Sequence, residues 1–153
     1  MTTNTSTSGA VVETVTAVRI DADGTAEVIE LARSGSGEGV GVALREAIGC
    51  RWFDVVALGP GLDMWVDDEG LVVNEPVVNV VATLIARSYG FRWQPYAGTV
   101  VFTSSDDEGD AVSLSRNQVA ALVATADVGG LVIVDATERE DVGTATSAAG
   151  AGA

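Results

Sequence analysis

The polar and apolar positions of this chain follow two periods in turn. Val11–Ile20 and Ala26–Leu31 alternate loosely and are rich in β-branched residues, with Asp21-Ala-Asp-Gly24 between them, which predicts a β-hairpin. Val40, Leu44 and Ile48 recur every fourth position, which predicts an amphipathic helix stopped by Gly49. Cys50–Leu58 reads as a strand, with Arg51, Phe53 and Val55 on one face and Trp52, Asp54 and Val56 on the other. Gly59-Pro-Gly61 is a turn. Leu62–Val66 and Leu71–Val73 are short strands, expected to form a second hairpin around Asp67-Asp-Glu-Gly70.

A second helix is expected from Asn74 or Glu75 as cap, with Pro76 in its first turn. Val77, Val80, Val81, Leu84 and Ile85 make its wide apolar stripe, and Gly90 closes it. The valines also suit a strand over Val77–Val81, and Ala82–Ser88 tips the balance to helix. Phe91–Tyr96 is an aromatic loop broken by Pro95. Gly98–Thr103 is a strand, central by its β-branched and aromatic content. Ser104–Asp110 is an acidic loop. Ser115 caps a last helix whose apolar side is Leu114, Val119, Leu122 and Val123, ending at Gly129-Gly130. Leu131–Val134 is a final strand or a docking segment.

These elements define the α+β class: a small mixed sheet with two β-hairpins packed against two or three helices. Residues 1–10 read as a flexible leader, 11–135 as one domain, and 136–153 as a disordered acidic, then Ala/Gly-rich tail.

Composition adds a strong bias. The net charge is −14; all 8 basic residues are arginine, with neither lysine nor histidine. A surface this negative repels phosphate backbones and anionic lipid, so neither nucleic acid nor membrane is expected as a direct partner. A basic protein would complement it. No signal sequence or membrane-length apolar run is visible, which makes a cytoplasmic location the default. The lack of lysine beside abundant Ala, Gly and Val fits a GC-rich genome.

Candidate chemistry is sparse. Asp21, Asp23 and Gly24 resemble the start of a calcium loop, but the glycine comes two positions early. The glycines of Ser34–Gly39 match neither the P-loop, which needs a lysine, nor the dinucleotide fingerprint. Cys50 beside Arg51 has no histidine to act as base, so a structural role is favoured. Asp63, Asp67, Asp68 and Glu69 lack the spacing of a metal site or a catalytic pair. No catalytic, cofactor or metal residue is therefore assigned. Surface candidates for an interaction are Trp65, Asp67, Asp68, Asn79, Thr83, Arg92, Trp93 and Tyr96.

Asp63-Met-Trp-Val-Asp-Asp-Glu-Gly70, Pro76-Val-Val-Asn79 with Ala82-Thr83, and Gly98-Thr-Val-Val101 together resemble the bacterial and phage domain-of-unknown-function family 3846. The resemblance spans Ile20–Thr103 and continues toward Leu114, leaving the last helix and both tails outside. It implies a small α+β domain and an actinobacterial, phage or mobile-element setting; it supplies no site residue. Three functions follow as expectations. The first is a non-enzymatic accessory protein that binds another protein. The second is an acidic nucleic-acid mimic that inhibits a nuclease or DNA-binding protein. The third is a divalent-metal-dependent hydrolase.

Overall fold

In the computed structural model the described residues are 13–34, 39–71, 75–92 and 94–129. The leader, the tail, Leu131–Val134 and Trp93 lie outside them.

The first hairpin forms as expected. Strands β1 (Thr14–Ile20) and β2 (Ala26–Ala32) pair antiparallel from Thr14↔Ala32 to Ile20↔Ala26. The turn is tied by Asp23 Oδ1, which accepts the Thr25 N–H and thereby holds the Asp23 carboxyl below its usual range. Gly24 takes φ 90°, a left-handed conformation that suits glycine.

Helix α1 (Gly41–Ile48) buries Gly41, Leu44 and Ile48, and Gly49 ends it at φ 77° with its N–H on the Arg45 carbonyl. Strands β3 (Phe53–Gly59) and β4 (Leu62–Asp67) then form a hairpin around Pro60-Gly61. The second hairpin was expected further on, around Asp67–Gly70; there 68–71 are turns, and most of the expected Leu71–Val73 strand, 72–73, lies outside the described residues. Local turn chemistry favoured both places; β4 has one free edge left after pairing β3, and that edge goes to β5.

Helix α2 (Val80–Ser88) starts later than expected. Its cap is Asn79, and Val78 instead makes an isolated antiparallel bridge to Ala97. Strand β5 (Val100–Ser105) is central, between β1 and β4. The acidic loop after it is the turn of a short hairpin: β6 (Ala111–Val112) folds back on Ser104 and Ser105. Asp106 Oδ1 accepts the N–H groups of Glu108 and Asp110 there. Helix α3 covers residues 116–129, opened by a reciprocal cap: Ser115 Oγ accepts from the Gln118 N–H, and Gln118 Oε1 accepts from the Ser115 N–H.

The sheet runs β2-β1-β5-β4-β3, with β6 beside β5. Among the described residues every strand pairing is antiparallel, where a mixed sheet was expected. Side-chain alternation divides the interior into two layers. Ile20, Met64, Val100 and Phe102 face α2 and α3; Ala17, Leu31, Val101 and Trp65 face α1. The α+β class therefore stands, among the described residues as a six-stranded sheet with helices on both faces.

Candidate functional site

Asn79 is where α2 meets the sheet. It is 0% exposed. Its Oδ1 accepts the Ala82 N–H at 3.0 Å, and its Nδ2 donates to the carbonyls of Ile20 (3.0 Å) and Gly98 (2.8 Å). One amide thus caps α2 and ties it to the end of β1 and the approach to β5. Thr83 continues the seam: its Oγ1 donates to the Asn79 carbonyl at 2.8 Å and accepts the Tyr96 N–H at 3.0 Å. Tyr96 is buried against the same core, and burial pushes its hydroxyl above the usual range.

These bonds correct three surface assignments. Asn79 and Thr83 are interior residues whose side chains bond the chain's own backbone, and Tyr96 is interior because it packs into the core. Trp65 is half-buried: its Nε1 donates to Thr103 Oγ1 at 2.9 Å, and its ring stands edge-on to Phe53 at 5.4 Å. Trp93 lies outside the described residues.

Asp67 and Asp68 do come together with Tyr96. With Asp54, Gln94 and Pro95 they line a small cleft of about 110 Å³ at one end of the sheet. Asp67 Oδ1 is occupied by the Glu69 N–H. Asp63 does not join them. It lies at the start of β4 and is 9% exposed, and burial pushes its carboxyl up. Among the described residues no group of three or more Asp, Glu, Cys or His is placed to hold a metal ion. Cys50 is no activated thiol: burial, then the charge of Asp67, push it up, and Arg45 opposes them only in part.

Arg92 stands elsewhere. With Leu84, Arg87 and Ser88 it surrounds a shallow depression of about 520 Å³ on the outside of α2. The inner face of α2 buries Val81, Ala82, Thr83, Ile85 and Ala86. Its outer face would ordinarily be polar. Instead Val80 is 37% and Leu84 42% exposed. Arg87 and Arg92 border this stripe, and neither forms an ion pair with a described carboxylate. Sequence reasoning placed Val77, Val80 and Leu84 inside. The signal it passed over was the small-residue side: Ala82, Thr83 and Ala86 lie against the core with Val81 and Ile85, which turns Val80 and Leu84 outward.

Among the described residues, an antiparallel six-stranded sheet with helices on both faces defines an α+β domain, with an apolar helix face bordered by arginines left exposed. The chain belongs to the family described as a domain of unknown function, DUF3846, whose model matches residues 15–127. The match takes in most of α3, which the resemblance had left outside. Neither a curated protein nor a solved structure matches the chain. Among the described residues no helix is long and apolar enough to cross a membrane.

Proposed function

We propose that this domain is a non-enzymatic accessory protein that binds another protein through the outer face of α2, in the phage- or mobile-element-related setting that its family resemblance implies. One observation carries the reading: α2 is apolar on both sides and, among the described residues, only one side is covered. A contiguous exposed apolar surface with a charged border is the usual composition of a protein contact. Net charge favours a basic partner at long range, yet Arg87 and Arg92 make the rim of this face cationic. The contact therefore suits a partner with an apolar ridge and at least one carboxylate beside it.

The placement of the carboxylates supports binding over nucleic-acid mimicry. The strand registers put the Asp21–Gly24 and Asp67–Gly70 turns at one end of the sheet and Asp106–Asp110 at the other. A phosphate-like row would need them along one face.

The test is affinity capture from the source cells with the wild-type chain, Leu84→Asp and Val80→Asp. Both side chains are partly exposed, so each variant should lose about 1 kcal/mol of stability and remain folded. A partner held by wild type and lost by both variants is expected. A set of captured proteins that neither variant changes refutes the reading.

A further inference from the structure

Strand β3 ends the sheet on one side, and among the described residues nothing pairs with its outer edge. The register tells which groups face that edge. The Asp68 N–H donates to the Trp52 carbonyl at 2.9 Å, so Trp52 and Asp68 form a hydrogen-bonded pair just before the strand. Phe53, Val55 and Ala57 are then the alternate partners of Asp67, Trp65 and Asp63, and their N–H and C=O groups point away from β4. Val55 agrees: its N–H donates to no strand but to the neighbouring Asp54 Oδ1, at 2.8 Å. Exposed edges are ordinarily guarded by lysine, proline or several charges. Phe53–Gly59 holds one charged residue, Asp54, in a chain of net charge −14. Val55 is 42% exposed, and Trp52 before it 60%. The edge strand on the other side, β2, carries Glu27 and Glu30, and the groove beside it has Arg116 and Asp127.

We propose that a second copy of this chain pairs with this edge, β3 antiparallel to β3, about a twofold axis through Val55. Val55 then opposes the other copy's Val55, Phe53 opposes its Ala57, and Asp54 opposes its Val56. The outward groups of Phe53, Val55 and Ala57 find partners on both copies in one contact. The register is selected by the residues beside it. An axis through Asp54 would set one carboxylate on the other, and an axis through Val56 would run Phe53 onto Gly59, past the bulge after Ala57. Charge argues for the occupant. Two chains of net charge −14 repel each other wherever their carboxylates meet. Along this edge they touch with each Asp54 against a valine. A basic foreign strand would find only that one carboxylate to complement. Pairing requires Asp54 to release the Val55 N–H, so in the free chain its carboxylate competes with the incoming strand.

The experiment is sedimentation equilibrium of the full chain, with disulfide trapping beside it. Wild type should show a reversible monomer–dimer equilibrium. Val55→Lys sets two ammonium groups against each other on the axis and should weaken it about tenfold or more. Asp54→Ala removes the competing acceptor and should tighten it severalfold. Leu84→Asp, on α2, should leave it unchanged. For trapping, Cys50→Ser is combined with Val55→Cys or with Val28→Cys. Facing residues of a hydrogen-bonded antiparallel pair lie about 5.5 Å apart, within disulfide reach, so Val55→Cys should link two copies and Val28→Cys, on β2, should link far more slowly. A wild-type chain that stays monomeric at every concentration overturns the proposal. So does a dimer that Val55→Lys leaves intact, one that Asp54→Ala weakens or Leu84→Asp dissolves, or linking at Val28 as fast as at Val55. If Val55→Lys does not fold, the two cysteine variants decide between the edges. None of these readouts involves the partner of α2, so their failure leaves that reading standing.

Discussion

Replacing Asn79 by alanine removes three bonds made by one buried amide. The cap to the Ala82 N–H is lost, which in helices costs about 1 kcal/mol. The carbonyls of Ile20 and Gly98 lose their shared donor, at about 1 kcal/mol net each. The sum is about 3 kcal/mol, a large share of the 5–15 kcal/mol (roughly) that holds an ordinary domain together. Urea unfolding of wild type and variant, read by far-ultraviolet circular dichroism, measures it. With a slope of about 2 kcal/mol per molar, the midpoint should fall by about 1.5 M with the slope unchanged. Asn79→Asp separates the two roles. Aspartate keeps the acceptor for the cap but turns a carboxylate oxygen toward two carbonyls, so it should be at least as unstable as Asn79→Ala at neutral pH. If Asn79→Ala stays within about 0.5 kcal/mol of wild type, or if Asn79→Asp matches wild type, then Asn79 is not the joint between helix and sheet.

Thr83→Val keeps the shape of Thr83 but removes the acceptor for the Tyr96 N–H, and should cost about 1–2 kcal/mol by the same unfolding measurement. Gly129→Ala should destabilise by about 1–3 kcal/mol through overpacking on Val81, and adding Val81→Ala should return part of that loss. Asp63 gives a pH dependence. Its folded pKa is raised above the ordinary 3.8 by burial, so the folded state holds this proton more tightly than the unfolded state. The ionised carboxyl then works against folding as pH rises from below 3.8 through the raised value. Asp63→Asn should therefore gain stability relative to wild type across that rise, and the gain should be absent in more acidic solution; a difference that does not change with pH contradicts the assignment.

What was readable along the chain is what neighbours in sequence decide. The β1–β2 hairpin follows from alternation and from Asp23 and Gly24, whose bonds and backbone angle are local. The Gly49 stop of α1 and the Ser115–Gln118 cap of α3 are likewise settled within one helical turn. Long-range choices were not readable. Pro76 looked like the first turn of α2, but the helix begins where the Asn79 amide can reach carbonyls 59 and 19 positions away. β6 is two residues long, too short to show a period, and exists because β5 offers it an edge.

The amino-acid order determined the α+β class, the main strands and helices, the acidity and the family, because each depends on composition or on contacts a few positions apart. Tertiary structure decided which polar groups are interior joints and which apolar ones remain outside. Asn79 and Thr83 went inside because distant backbone groups needed partners, and Tyr96 because its ring packs into the core. Val80 and Leu84 stayed outside because a helix lying on a sheet covers only one of its sides.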